Sequence, residues 1–140
     1  MSAPIAYLID TNVVSETRKN RADPGVIAFL RGVDSSSLYL SVLTLGELRK
    51  GIAAKRRRNP AAAKSLTAWL VGLEAGFADR LMGIDLAVAQ LWGEWSGGKP
   101  RPVIDTLLAA TASVHELTLV TRHVRHFRDL PVKVLNPWSG

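Results

Sequence analysis

The chain has 140 residues, 47% of them apolar and 21% charged, with 18 Lys and Arg against 12 Asp and Glu. This balance predicts one domain spanning 1–140, able to remove about two-thirds of its unfolded-chain surface from water, and it excludes a disordered chain. A net charge of +6 suits a polyanionic partner, nucleic acid or an anionic membrane surface, while the absence of cysteine excludes disulfides and leaves only oxygen or imidazole as metal ligands.

At the amino end, MSAPIAYLID carries no cationic leader and meets an acid at position 10, so it does not read as a signal peptide and a cytoplasmic home is expected. No apolar run approaches the roughly 20 residues needed to span a bilayer, and no membrane partner is expected. Ala6 to Ile9 reads as a short buried strand ending at Asp10-Thr11-Asn12, residues suited to capping a helix. Pro24 opens a helix running through Val33, with Val26, Ile27 and Leu30 at helical spacing, and 34–37 forms a polar break.

Leu38 to Ser41 is a second strand, followed by a helix on which Val42, Leu45, Leu48 and Ile52 recur and which carries Glu47. Asn59-Pro60 interrupts the basic run 55–58 and starts a long helix with an apolar stripe of Leu66, Trp69, Leu70, Leu73 and Phe77. The two helices should form a hairpin with a cationic tip. Leu81 to Ile84 reads as a third strand, and Asp85 caps a helix bearing Leu86, Ala89 and Trp92 that stops at Gly97-Gly98-Lys99-Pro100. Pro102 begins the next helix and places Asp105 in its first turn. Leu117 to Val120 and Val132 to Leu135 close the series as strands, and 136–140 is expected to be a loose tail. Strands alternating with helices predict a parallel α/β sheet whose ligands collect at the carboxyl ends of the strands, where Asp10 stands.

Three acids, Asp10, Glu47 and Asp105, thus fall beside apolar residues near element ends in a basic chain. Carboxylates gathered in one cleft repel one another unless a cation or proton intervenes, so together they suggest a divalent metal facing a polyanion. Singly, each has a plainer reading: Asp10 as a helix cap, Asp105 as a first-turn acid favoured by the helix dipole, Glu47 as a solvated helix residue near Lys50. Trp69 and Trp92 fit helix-core stripes better than base-stacking platforms, and Arg56 to Arg58 fit either a solvated cationic face or an RNA-facing surface.

Four ordered segments, LIDTNVVSE, SVLTLGELRKGI, PVIDTLLAATA and LVTRHVRHF, resemble those of PIN-domain proteins of the VapC toxin type, from about Tyr7 to Asn136. The resemblance implies an α/β/α sandwich around a central, mainly parallel sheet of about five short strands. It implies a Mg²⁺- or Mn²⁺-dependent endoribonuclease acting on RNA, a homodimer, and a cognate antitoxin that both occupies the cleft and binds operator DNA. It assigns Asp10, Glu47 and Asp105 as catalytic metal ligands, with Thr11, Asn12 and Thr121 supporting them. Arg49, Arg122 and Arg125 are candidate RNA contacts.

The family's closing pattern T-x-N-x-x-D-F reads Thr121-Arg122-His123-Val124-Arg125-His126-Phe127 here, so histidines replace both the Asn and the fourth acid. Neutral imidazole offers one nitrogen in place of a charged oxygen donor, so a second Mg²⁺ should bind more weakly. His123 and His126, three apart, are candidate ligands if they share a helical face; Asp129 could replace the lost acid only if the chain bends back. A degenerate domain that binds RNA or antitoxin without cutting is the competing expectation. A phosphatase with an aspartyl nucleophile is a third, disfavoured because Asp10-Thr11-Asn12 lacks a second Asp.

Overall fold

The computed structural model describes residues 4–139, and within them alternate short strands and helices. In chain order these are β1 (Tyr7–Ile9), α1 (Thr11–Glu16), α2 (Pro24–Gly32), β2 (Leu38–Ser41), α3 (Val42–Arg56), α4 (Pro60–Gly76), β3 (Leu81–Met82), α5 (Leu86–Ser96), α6 (Val103–Val114), β4 (Thr118–Val120) and β5 (Val134–Leu135). Single 3-10 turns span Ser35–Ser37 and Val124–Phe127.

The five strands form one sheet in the order β3-β2-β1-β4-β5, and every pairing is parallel. The order reverses at β1, whose neighbours are β2 and β4, so the carboxyl ends of β1 and β4 flank the crevice where such sheets bind ligands. Leu8, Leu40, Leu119 and Val120 are fully buried because helices cover both faces, which is why these strands read as unbroken apolar runs. One core cluster joins Leu8, Leu119 and Phe127 to Leu108 and Ala112 of α6; the other joins Ile9, Leu40 and Val120 to Val13 and Val26 of α1 and α2.

Local chemistry sets the helix starts. Side-chain oxygens of Asp10, Asp23, Ser41, Asn59 and Asp85 accept from backbone N–H groups in the first turns of α1 to α5, and Pro24 and Pro60 follow their caps. Pro102 is the N-cap of α6 and not its first helical residue, with no side-chain cap bond. The third strand stops at Met82, two residues short of Ile84, and the last two strands are trimmed to start at Thr118 and Val134 because the ladder begins there. Trp69 packs beneath α3, as its stripe implied, and Trp95 packs against the first core cluster. No helix among the described residues is long and apolar enough to cross a membrane.

The closing segment is held through Ser139, contrary to the loose tail expected. Ser139 donates from N and Oγ to the Asp23 carboxylate at 3.0 and 2.8 Å, and Trp138 packs into the second cluster. Gly25 makes this fit possible: a Cβ there would stand 2.4 Å from the Pro137 carbonyl oxygen and 2.8 Å from the Ser139 nitrogen.

Candidate active site

Asp10 follows β1 directly, and its N–H donates to the Val120 carbonyl of β4 at 2.9 Å, fixing it in the crevice between the two strands. Its extended backbone makes it the N-cap of α1, with Oδ1 accepting from the Thr11 N–H at 2.7 Å. Oδ2 accepts from the Thr121 hydroxyl at 2.7 Å and the Asn12 amide at 3.0 Å. The residue is only 4% exposed. Burial raises its pKa above the usual aspartate value; the bonds from Thr121, Thr11 and Asn12 oppose the rise, and the negative charge of Asp105 adds to it.

Glu47 reaches the same end of the sheet from α3. Thr11 Oγ1 donates to Glu47 Oε1 at 2.6 Å, so residues 36 apart in sequence meet one residue away from Asp10. That bond replaces the solvated position beside Lys50 that Glu47 alone suggested. Asp105 lies in the first turn of α6, within electrostatic reach of Asp10. The structure therefore gathers Asp10, Glu47 and Asp105 at one end of the sheet.

Supporting residues tie these acids to the segment after β4. The buried Thr121 hydroxyl donates to Asp10 and accepts from Asn12 Nδ2 at 3.2 Å and from the His123 N–H at 3.1 Å, while Asn12 Oδ1 accepts from the Arg122 N–H at 3.1 Å. His126 Nδ1 lies 2.7 Å from Asp105 Oδ2; with Asp105 ionised, the imidazole N–H is the donor. His123 stands at the N-cap position of the 3-10 turn, and His126, three residues on, lies on the same side of it, so the two rings stack at 5.0 Å and 12°.

The remaining candidates divide. Asp129 does not replace the lost fourth acid: Arg101 grips it through both terminal nitrogens at 2.8 and 3.2 Å and Lys99 at 2.7 Å, holding its pKa far below the usual range. Arg49 pairs with Glu74 at 3.7 Å, and the Arg122 guanidinium sits 5.2 Å over the Trp138 ring. Arg125 is exposed and has no ion-pair partner among the described residues. Beside Glu47 runs a cavity of about 330 Å³ lined by Thr11, Glu47, Arg18, Leu48, Ile52 and Trp69, with Arg18 lying 5.3 Å over the Trp69 ring.

Among the described residues, no three carboxylates or imidazoles converge closely enough to share one ion; each acid instead takes a bond from a neighbour, Asp10 from Thr121, Glu47 from Thr11 and Asp105 from His126. The donor chemistry nonetheless fits a hard divalent cation. All three acids offer carboxylate oxygen; burial is the main cause of the raised Asp10 pKa, with the charge of Asp105 adding to it, and a cation would favour the ionised form against both. The contact of His126 with Asp105 escaped the sequence reading, because only the turn after β4 brings residues 21 apart together.

An acid-bearing crevice at the reversal point of a parallel sheet defines an α/β protein of the ligand-cleft class. The PIN domain family model matches residues 7–133, and the chain belongs to the PIN-domain family. Its relatives include proteins named as a toxin and as VapC ribonucleases. It is 33% identical to Toxin FitB of Neisseria gonorrhoeae over 138 residues, 94% of this chain and 97% of that protein. It is 31% identical to the VapC ribonuclease Y4jK of Sinorhizobium fredii over 141 residues, 94% of this chain and 97% of that one. Among solved structures, FitAB bound to an IR36 DNA fragment matches with a TM-score of 0.85 at 31% identity, covering 96% of each chain. VapBC2 from Rickettsia felis, bound to a DNA fragment from its promoter, shares the fold with a TM-score of 0.71 at 19% identity, covering 94% of this chain and 98% of that one.

Proposed function

We propose that this chain is the toxin component of a toxin–antitoxin pair, a cytoplasmic endoribonuclease that hydrolyses RNA phosphodiester bonds with Mg²⁺ or Mn²⁺ held by Asp10, Glu47 and Asp105. The observation that carries the reading is the buried Asp10 carboxylate, held by Thr121, Thr11 and Asn12 in the crevice between β1 and β4, with Glu47 bonded to the next residue, Thr11. Two acids kept close in a protein with a surplus of +6 fit a cation-filled cleft facing a polyanion. The names of the relatives, a toxin and a VapC ribonuclease, agree with it.

When bound, the cation supplies Lewis acidity toward the phosphate and acidifies the attacking water. The chain's own residues orient the acids. Thr121 and Asn12 hold Asp10 Oδ2, the start of α1 holds Oδ1, Thr11 holds Glu47, and His126 steadies Asp105. Arg122 and Arg125, exposed beside the turn after β4, stand where an RNA backbone would be drawn in. An antitoxin is the expected partner, linking a homodimer of this chain to operator DNA, since the relatives FitAB and VapBC2 are solved on DNA.

Cleavage of pooled RNA under a Mg²⁺ titration tests this reading. Cutting should require the cation and disappear in Asp10→Asn; cutting that persists in the variant, or in EDTA, refutes it.

One contact favours a second reading. His126 occupies Asp105 Oδ2 in place of an acid, which suits a domain that binds RNA or antitoxin and cuts weakly. His126→Asp should tighten Mn²⁺ binding by about tenfold, the scale on which partners of metal ligands act, and speed cutting at limiting cation. Unchanged affinity and rate would show that the missing charge does not limit the site.

A further inference from the structure

The hairpin of α3 and α4 concentrates the molecule's positive charge. Residues 49–64 carry seven cations and no acid, more than the chain's whole net charge of +6, so the rest of the molecule is close to neutral. All seven are exposed. Arg49 alone pairs, with Glu74; among the described residues Lys50, Lys55, Arg56, Arg57, Arg58 and Lys64 have no carboxylate partner. Cations left unpaired at this density repel one another and gain when a polyanion displaces their counterions.

Shape and place add to charge. The tip forms a shallow recess of about 500 Å³ lined by Ala53, Ala54, Arg57 and Arg58, where small side chains leave the guanidinium groups uncovered. Glu47 lies on the same helix nine residues before Arg56, so tip and acids are separated by about 14 Å along α3 at 1.5 Å per residue. An RNA confined to the acids cannot touch the tip, whereas a longer or folded RNA spans both.

We propose that the α3–α4 hairpin tip, centred on Arg56, Arg57 and Arg58, is a second RNA-binding site that grips the sugar-phosphate backbone away from the scissile bond and so selects long or folded RNA over short oligonucleotides. This rests on the ribonuclease reading for its biological sense, but its test does not depend on cutting. Guanidinium groups pair with phosphate oxygens without reading bases, so the tip contributes affinity and register, while sequence choice stays with the cleft.

The test compares the full-length protein with the triple variant Arg56→Gln, Arg57→Gln, Arg58→Gln, in EDTA to silence cleavage, by fluorescence anisotropy with labelled bulk tRNA and with a short labelled oligouridylate. The variant should bind tRNA about tenfold or more weakly, with the slope of log affinity against log salt reduced by about 0.7 to 0.9 per lost phosphate contact. Binding of the short oligonucleotide and the thermal unfolding midpoint should not change. The triple Lys variant, which keeps the charge, should retain most of the tRNA affinity.

Unchanged tRNA affinity and salt slope, or an equal loss for the short oligonucleotide, overturns the proposal. Retained tRNA binding with lost binding of poly-glutamate assigns the tip to an acidic protein partner and also overturns it. Wild-type protein that binds tRNA through the tip but never cuts pooled RNA in Mg²⁺ refutes the nuclease reading and leaves the RNA-binding site standing.

Discussion

The Thr121 hydroxyl is fully buried and serves three groups at once, donating to Asp10 Oδ2 and accepting from the Asn12 amide and the His123 N–H. Valine there keeps the shape and strands those groups, so Thr121→Val should lower stability by about 1 to 3 kcal/mol, read as a lower urea midpoint at unchanged m-value. Asp10 has a different signature. Its pKa is raised on folding, so at intermediate pH the folded state holds a proton that the unfolded chain has released, and stability falls as pH rises from the ordinary aspartate value through the raised one. Asn can still cap α1 and carries no charge, so the stability of Asp10→Asn relative to the wild type should increase with pH across that interval. Urea midpoints at acidic and neutral pH would show it, and a difference that moves the other way would mean the Asp10 carboxyl is stabilised by folding in its charged form. At this scale the sequence was only partly legible. Motif order singled out Asp10, Glu47 and Asp105, but apolar periodicity says nothing of Thr11 reaching Glu47 or His126 reaching Asp105, because both bonds join distant segments. Asp129 reads as a spare acid until the structure supplies Arg101 and Lys99.

Helices were legible because their boundaries are written in local chemistry. Asp, Ser or Asn caps α1 to α5, and a proline occupies the first turn of α2 and α4, so the starts of these helices need no tertiary information. Strand ends carry no such marker. Ile84, Leu117 and Val132 are apolar and continue their runs, yet the ladder stops before or begins after them, so β3 and β5 were legible as strands but not in their two-residue extent. The closing segment escaped for a related reason: its anchors are the Asp23 carboxylate and the bare backbone of Gly25, both more than 100 residues earlier. Gly25→Ala should force Pro137 and Ser139 away from α2 at a cost of about 1 to 3 kcal/mol, with faster amide exchange confined to 136–139. A variant as stable as the wild type, with protection unchanged, would show that the segment does not depend on this close approach.

Across the whole molecule, charge is sorted against function. Asp10, Glu47 and Asp105 lie toward one end of the sheet, one hairpin carries the cationic surplus, and the charges outside it nearly balance. Composition alone discloses the surplus, but only the fold shows that Glu47 and the cationic hairpin share one helix, α3. The arrangement has meaning if Asp10, Glu47 and Asp105 share a divalent cation, since their charges otherwise oppose one another. Calorimetric titration of Mn²⁺ into the wild type and into Asp10→Asn, Glu47→Gln and Asp105→Asn tests this directly. The expected result is saturable binding by the wild type and a loss of about tenfold or more in affinity in every variant. Wild-type affinity retained in any one of the three would contradict it.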